Sequence, residues 1–364
     1  VKYKLTRQIK HEELKEVIGK AFEKKQALFI WGTTGIGKSM CVRQKAQDIA
    51  KNMNLIFSED EIDKKENFGF VDIRISQLEP SDLRGLPDIK DDKTKWKSPT
   101  WLPSDKESQG IIFFDELNLA PPMIQASAYQ LILERRLGDY KLPDKWVILS
   151  AGNRLEDRAN VFDLPAPLSN RFLHVELRIP TAEEWTKWAL ENEIDGRIIS
   201  YLQFRKSHLF DFKSNSAERA FPTPRSWEFC SNVISGTPTK NNLEFLDILV
   251  ASAVGEGIAI EFATFLKLQR KVDFDEILRN PKLVEKYKEL DMKCAILGGL
   301  SERYNEKKEI LPKILGLTQY LEPEFAILLL MICKGKHKKY FKDNVKKIPE
   351  WKEIAGKYQK YVLG

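Results

Sequence analysis

Eight consecutive residues carry the first chemistry that can be read from this 364-residue chain. Gly32-Thr33-Thr34-Gly35-Ile36-Gly37-Lys38-Ser39 fits the pattern G-x-x-x-x-G-K-[ST], with Met40 directly after it. Glycines at this spacing let the backbone turn tightly, so that successive N–H groups converge on phosphate oxygens. A helix beginning at Lys38 adds the positive end of its dipole. Lys38 would then reach the β- and γ-phosphates of a nucleotide, and the Ser39 hydroxyl would face Mg2+. Gly32 through Met40 is therefore the candidate binding segment for ATP with Mg2+. The pattern alone has chance matches; a buried strand before it and a helix after it are what make it specific.

Two further sites answer the needs of that loop. Asp115-Glu116 follows the apolar run Ile111–Phe114. An acid straight after a buried strand can hold Mg2+ through its waters, which makes Asp115 the metal partner of Ser39. Glu116 can polarise an attacking water as general base. A capping pair at a strand–helix junction is the plainer reading, but the phosphate loop independently calls for such an acid. Asn153 closes Ser150-Ala151-Gly152-Asn153. A neutral amide there can orient the water or sense the γ-phosphate, although Asn is also an ordinary turn residue.

These residues need elements to hold them. Ala27–Trp31, Phe70–Ile75, Ile111–Phe114, Trp146–Ala151 and Phe172–Leu177 read as five nearly uniform apolar strands. Helical spacing appears before them at Lys10–Lys24 and between them at Lys38 to about Met53 and Met123–Arg135. Strands of this kind alternating with helices predict a parallel sheet covered on both faces. Ligands of such sheets bind beyond the carboxyl ends of the strands, where Gly32, Asp115 and Asn153 would meet. Past Ile179-Pro180 the strand pattern stops. Thr181 can cap a helix to about Glu191, further helices follow at Pro224–Val233 and Val254–Leu268, and the chain from Gln269 on reads as all-helical. The predicted domains are 1–179, 180–268 and 269–364.

Composition is that of an ordinary globular protein, 42% hydrophobic and 31% charged, with net charge +6 from 59 basic and 53 acidic residues. The excess gathers at the end, where Lys334–Gly364 holds ten Lys against three acids, a pattern that reads first as a solvated helical face and second as a docking patch for an acidic partner. Cys41, Cys230, Cys294 and Cys333 are too scattered for a metal site and fit a reducing compartment. The first residues, VKYKLTRQIK, have no apolar core of a secretory leader, and no apolar run is long enough to span a bilayer, so a cytoplasmic location and no membrane are expected.

The order of these motifs resembles an AAA+ ATPase. The phosphate loop, Asp115-Glu116 and Asn153 are followed by Leu168-Ser169-Asn170-Arg171-Phe172 and then Pro222-Thr223-Pro224-Arg225. Asp82-Leu83-Arg84-Gly85-Leu86-Pro87 and Trp96-Lys97-Ser98-Pro99 resemble the helix-2 insert of the MoxR branch, placing that insert at about 77–102. Leu137-Gly138-Asp139-Tyr140-Lys141-Leu142-Pro143 resembles its hairpin before the fourth strand, at about 136–146. The resemblance covers about Leu5 to Leu268. It implies a five-stranded P-loop core, a helical lid over 180–268, and roles for three residues. Asn153 corresponds to sensor 1, Arg225 to sensor 2 touching the γ-phosphate of its own subunit, and Arg171 to the arginine finger of the neighbouring subunit. A fixed cation on transition-state charge is worth roughly 4–7 kcal/mol when an arginine finger supplies it. Arg154 and Arg158 also lie near the fourth strand's end and compete with Arg171 for that role.

An arginine acting in trans requires an assembly, and the resemblance implies a ring, usually a hexamer, with head-to-tail contacts. It also implies a chaperone-like remodeller whose partner carries a von Willebrand factor A-type domain, with the insert and its Trp96 and Trp101 as candidate contact surface, or else simply packed on the sheet. Two rivals compete. A nucleic-acid motor would show a recognition module and unbalanced basic residues, and neither is visible. Asp115, Glu116, Asn153 and Arg171, all intact, argue against a scaffold switched by ATP without turnover.

Overall fold

Strands that are apolar on both sides are stable only where both faces of their sheet are covered. The computed structural model describes residues 7–90, 93–154, 157, 161–212 and 218–363, so Leu5 and Arg158 lie outside the described residues. The chain divides into two compact units, Val1–Ile179 and Pro180–Gly364.

The first unit carries the strands β1 (Gln8–Ile9), β2 (Leu28–Trp31), β3 (Ile56–Ser58), β4 (Asn67–Arg74), β5 (Leu86–Lys90), β6 (Lys93–Lys97), β7 (Gln109–Asp115), β8 (Arg136–Leu137), β9 (Tyr140–Lys141), β10 (Lys145–Gly152) and β11 (Leu173–Leu177). Its helices are α1 (His11–Glu23), α2 (Lys38–Asn52), α3 (Pro80–Arg84), α4 (Pro122–Glu134) and α5 (Ala166–Ser169). The main sheet runs β1-β11-β2-β10-β7-β4-β3, and every neighbouring pair is parallel. The five expected strands form its centre. The expectation of five is nevertheless too low, because the sheet has seven strands. The two additions are edges of two and three residues, and Ile56 in β3 is exposed, so neither leaves an apolar run to be read.

Alternation sends Ile112 and Phe114 of β7 into one core with Phe29, Trp146, Ile148, Ala128 and Leu131. On β4, Phe68 meets Phe22 of α1 at a ring distance of 5.3 Å. Register sets the strand ends level. Trp31 pairs with Gly152, Phe114 with Ser150, and Asp115 with Arg74. The residues that follow β2, β7 and β10 therefore emerge at one edge.

The predicted insert is a short helix, α3, followed by the antiparallel hairpin β5–β6. Its two tryptophans diverge. Trp101 donates to the Asp82 carbonyl at 3.1 Å and packs edge-on against Phe114. Trp96 is 42% exposed. The hairpin before β10 is the pair β8–β9, with Leu137 opposite Tyr140.

The second unit is helical throughout its described residues. It opens with α6 (Ala182–Glu191), capped as expected by Thr181 and Glu184 in a reciprocal box, then α7 (Gly196–Phe204), α8 (Pro224–Ile234), α9 (Leu243–Val254), α10 (Glu256–Leu268), α11 (Phe274–Arg279) and α12 (Leu290–Glu306). More helices continue to Pro349–Val362. One apolar cluster joins Trp185 to Val362 across this unit. It is pinned by the buried Arg197, which donates to Asp195 at 3.0 and 2.8 Å and to the carbonyls of Thr237 and Ile234. Among the described residues no helix is long and apolar enough to cross a membrane.

Candidate functional site

The turn after β2 is built for an anion. Gly35 and Gly37 take positive φ values of 73° and 96°, a region that residues with a Cβ enter only at a cost. Gly37 is the N-cap of α2 and offers no capping side chain, and no acid occupies the first turn. With no capping side chain and no acid there, the N-terminus of α2 turns its positive end toward a negatively charged ligand. On the far side, a His11 ring nitrogen lies 2.7 Å from the Ile36 carbonyl and props the loop from α1.

Lys38 is 7% exposed and its ammonium is held in place on three sides. It donates to the carbonyls of Gly32 at 2.7 Å and Thr33 at 2.9 Å, and to Asn153 Oδ1 at 3.0 Å. Ser39 Oγ donates to Asp115 Oδ2 at 2.5 Å. The structure therefore brings together Lys38, Ser39, Asp115 and Asn153 from three strand ends. The Ser39 hydroxyl and the Asp115 carboxylate are hard oxygen donors side by side, which suits Mg2+ bound through few protein ligands and several waters.

Glu116 adopts φ 57°, a left-handed conformation unusual for this residue type, and its N–H donates to Asp115 Oδ1 at 2.9 Å. Ser76, just past β4, donates to Glu116 Oε2 at 3.0 Å. The strained backbone turns Glu116 away from the line of β7 while Ser76 fixes its carboxylate. Asp72 on β4 adds a second acid near the first. Burial, and then the charge of Asp115, raise its carboxyl to about 6.

Asn118 is the residue that motif reading passes over. It is 1% exposed and pairs with the main chain of Asn153 in both directions. Its Nδ2 donates to the Asn153 carbonyl at 2.8 Å, and its Oδ1 accepts from the Asn153 N–H at 3.1 Å. A Cβ on Gly152 would come within 2.4 Å of that Oδ1, so glycine is required for the pair to close. Asn118 thereby ties the end of β10 to the turn after β7. Ser76, His11 and Asn118 carry no spacing signal of their own. A polar residue two places after Asp115-Glu116 in an otherwise apolar stretch is the one hint available for Asn118.

The arginines separate clearly. Arg154 is bound within its own unit, to Asp157 at 3.1 Å and Glu176 at 3.4 Å. Arg171 sits at the turn between α5 and β11, is exposed, and makes no ion pair among the described residues. Arg225 belongs to the second unit, exposed in the first turn of α8, where its charge acts on Glu228 one turn further on.

No family model matches the chain, and no curated protein matches it significantly. Among solved structures, NtrX from Brucella abortus in complex with ADP is similar at 14% identity and a TM-score of 0.40, covering 84% of this chain and 67% of that one. A variant of RuvB from Thermotoga maritima is similar at 14% identity and a TM-score of 0.35, covering 76% of this chain and 75% of that one.

Proposed function

We propose that this chain is a Mg2+-dependent ATP hydrolase of the AAA+ class, MoxR-like, working as a ring oligomer. The observation that carries the reading is the contact of Ser39 with Asp115 at 2.5 Å beside that of Lys38 with Asn153 at 3.0 Å. A phosphate-binding lysine, a metal-binding hydroxyl and acid, and a neutral amide have no shared structural need to meet at one sheet edge. They do have a shared chemical one in phosphoryl transfer to water.

In this reading the residues from Gly32 to Met40 bind the nucleotide, with backbone N–H groups and Lys38 on its phosphates. Ser39 and Asp115 would hold Mg2+, which supplies charge neutralisation at the phosphates. Glu116 takes a proton from the attacking water, and Asn153 orients that water. Arg171, exposed and without an ion pair among the described residues, serves the neighbouring subunit's site, whereas the double carboxylate partnership of Arg154 favours a structural role for it. Arg225, in the first turn of α8, is the residue to which the resemblance assigns contact with the γ-phosphate, within the 180–268 segment that it reads as a lid. Residues 1–179 form the nucleotide-binding core and 269–364 an additional helical region. The resemblance to MoxR-like proteins extends the proposal to a chaperone-like remodeller of a partner with a von Willebrand factor A-type domain, with exposed Trp96 on the insert as a contact.

The test is turnover of Mg2+-ATP by the purified chain together with two variants. Lys38→Ala should lose nucleotide binding, and Glu116→Gln should keep ATP affinity and lose turnover. The loop reading is overturned by normal affinity in Lys38→Ala, and the catalytic assignment by unchanged turnover in Glu116→Gln. The same Glu116→Gln variant, held in ATP, is the form with which to capture the partner.

A further inference from the structure

His174 lies between the two halves of chemistry that the proposed function assigns to different subunits. Trp31 is the last residue of β2 and directly precedes Gly32, while Arg171 stands three residues before His174. Trp31 Nε1 donates to His174 Nδ1 at 3.0 Å. The other ring nitrogen, Nε2, lies 2.7 Å from the carbonyl of Ser169, the last residue of α5. An indole N–H can only donate and a carbonyl can only accept. The imidazole must therefore be neutral, with its proton on Nε2, so that Nδ1 accepts from Trp31 while Nε2 donates to Ser169. The ring is also held by Phe29 and Phe172 at centroid distances of 6.0 and 6.2 Å, and it stacks on Trp31 at 6.2 Å.

We propose that His174 is a positioning residue that fastens the Arg171-bearing turn to the strand that launches the phosphate loop. The nucleotide a subunit holds and the arginine it offers its neighbour then shift as one piece. The linkage runs Gly32–Trp31–His174–Ser169–Asn170–Arg171 through one ring, whose Nε2 also lies 3.3 Å from the Ser169 hydroxyl. The backbone alone does not supply it, because the ladder between β2 and β11 begins at Leu173 and leaves the preceding turn outside the sheet. The inference rests on the proposed role of Arg171, and its test separates the two.

His174→Phe keeps an aromatic ring and removes every hydrogen bond of the imidazole; Trp31→Phe removes only the indole donor. Hydrogen exchange of peptides spanning 166–172 reads the turn directly, whatever Arg171 does. His174→Phe should speed exchange there by about threefold to tenfold, the scale of one lost hydrogen bond. Trp31→Phe should change it in the same direction. Nucleotide affinity should stay within about twofold while kcat falls roughly tenfold or more, as misplacement of a catalytic group does. The double variant His174→Phe with Arg171→Ala should be no slower than Arg171→Ala alone. Unchanged exchange at 166–172 in His174→Phe overturns the proposal, as does a further loss of kcat in the double variant. Faster exchange with full turnover in both His174→Phe and Arg171→Ala supports the fastening and overturns the role of Arg171 instead. Nitrogen shifts of the His174 ring in the wild-type protein should show the neutral Nε2–H form; the opposite tautomer also overturns the proposal.

Discussion

Replacing Asn118 tests whether the site is held by a buried amide or only by its strands. In Asn118→Ala the N–H and C=O of Asn153 lose partners at 3.1 and 2.8 Å. Each unsatisfied group costs about 1–3 kcal/mol, so the first unit should lose roughly 2–6 kcal/mol if no water enters. Asn153 would no longer be held at 3.0 Å from the Lys38 ammonium, and a displacement of about 1 Å at such a group costs on the order of a hundredfold in rate. Asn118→Asp sharpens the test, since it keeps the acceptor for the Asn153 N–H but sets a second acceptor against the Asn153 carbonyl. It should be no more stable or active than Asn118→Ala. Chemical unfolding followed by near-ultraviolet circular dichroism measures the stability term, and steady-state turnover at saturating Mg2+-ATP measures the rate. Stability within about 0.5 kcal/mol of wild type together with unchanged kcat in Asn118→Ala would refute the reasoning, because that is the range of a surface substitution.

Three further outcomes follow from other parts of the molecule. Asp72 is raised to about 6 by burial and by Asp115, so the folded state prefers its protonated form and loses stability as pH rises from about 4 through 6. Asp72→Asn should therefore raise the melting temperature at pH 7.5 and leave it nearly unchanged at pH 4; the reverse order counts against the raised carboxyl. Arg197→Met leaves the buried Asp195 and two carbonyls without their donor and should destabilise the second unit by about 3–5 kcal/mol in urea unfolding. In mixed assemblies, turnover lost in Arg171→Ala should be partly restored by Glu116→Gln subunits, whereas a deficit in Arg154→Gln should not be, because Arg154 is paired within its own unit. Equal rescue of the two in turnover assays would dissolve the distinction between them.

The centre of the fold was legible because its signals are local. β2, β7 and β10 carry unbroken apolar runs, β4 and β11 are mostly apolar with Asp72, Arg74, His174 and Glu176 interspersed, and Thr181 with Glu184 announces α6 at its first turn. The edges were not legible for the same reason. Two residues of β1 and three of β3 become strand only by pairing with neighbours far away in sequence, Gln8 with Glu176 and Ile56 with Asn67. The insert shows the same divide on a smaller scale. Both its tryptophans stand out by type, but only the fold shows Trp101 against Phe114 and Trp96 toward solvent.

At the site, the division falls between residues defined by what they touch in a ligand and residues defined by what they touch in the protein. In the proposed reading Lys38, Ser39, Asp115 and Asn153 follow a chemical requirement, which repeats wherever phosphate and Mg2+ are handled and so leaves a pattern in sequence. Asn118, Ser76 and His174 follow a geometric one. Their partners are the Asn153 main chain, the Glu116 carboxylate, and the Trp31 indole with the Ser169 carbonyl. Those partners lie 35, 40 and, for Trp31, 143 positions away, and two of the acceptors are backbone groups that every residue possesses. No residue type at any fixed spacing could announce such contacts. Yet in the proposed reading rate should depend on them as steeply as on the first set, because an amide, an acid or an arginine misplaced by about 1 Å is chemically present and catalytically weak. On that same reading, activity is thus written less in the motif than in the parallel register that brings Trp31, Asp115 and Gly152 to one edge, where three ordinary polar side chains can fasten them.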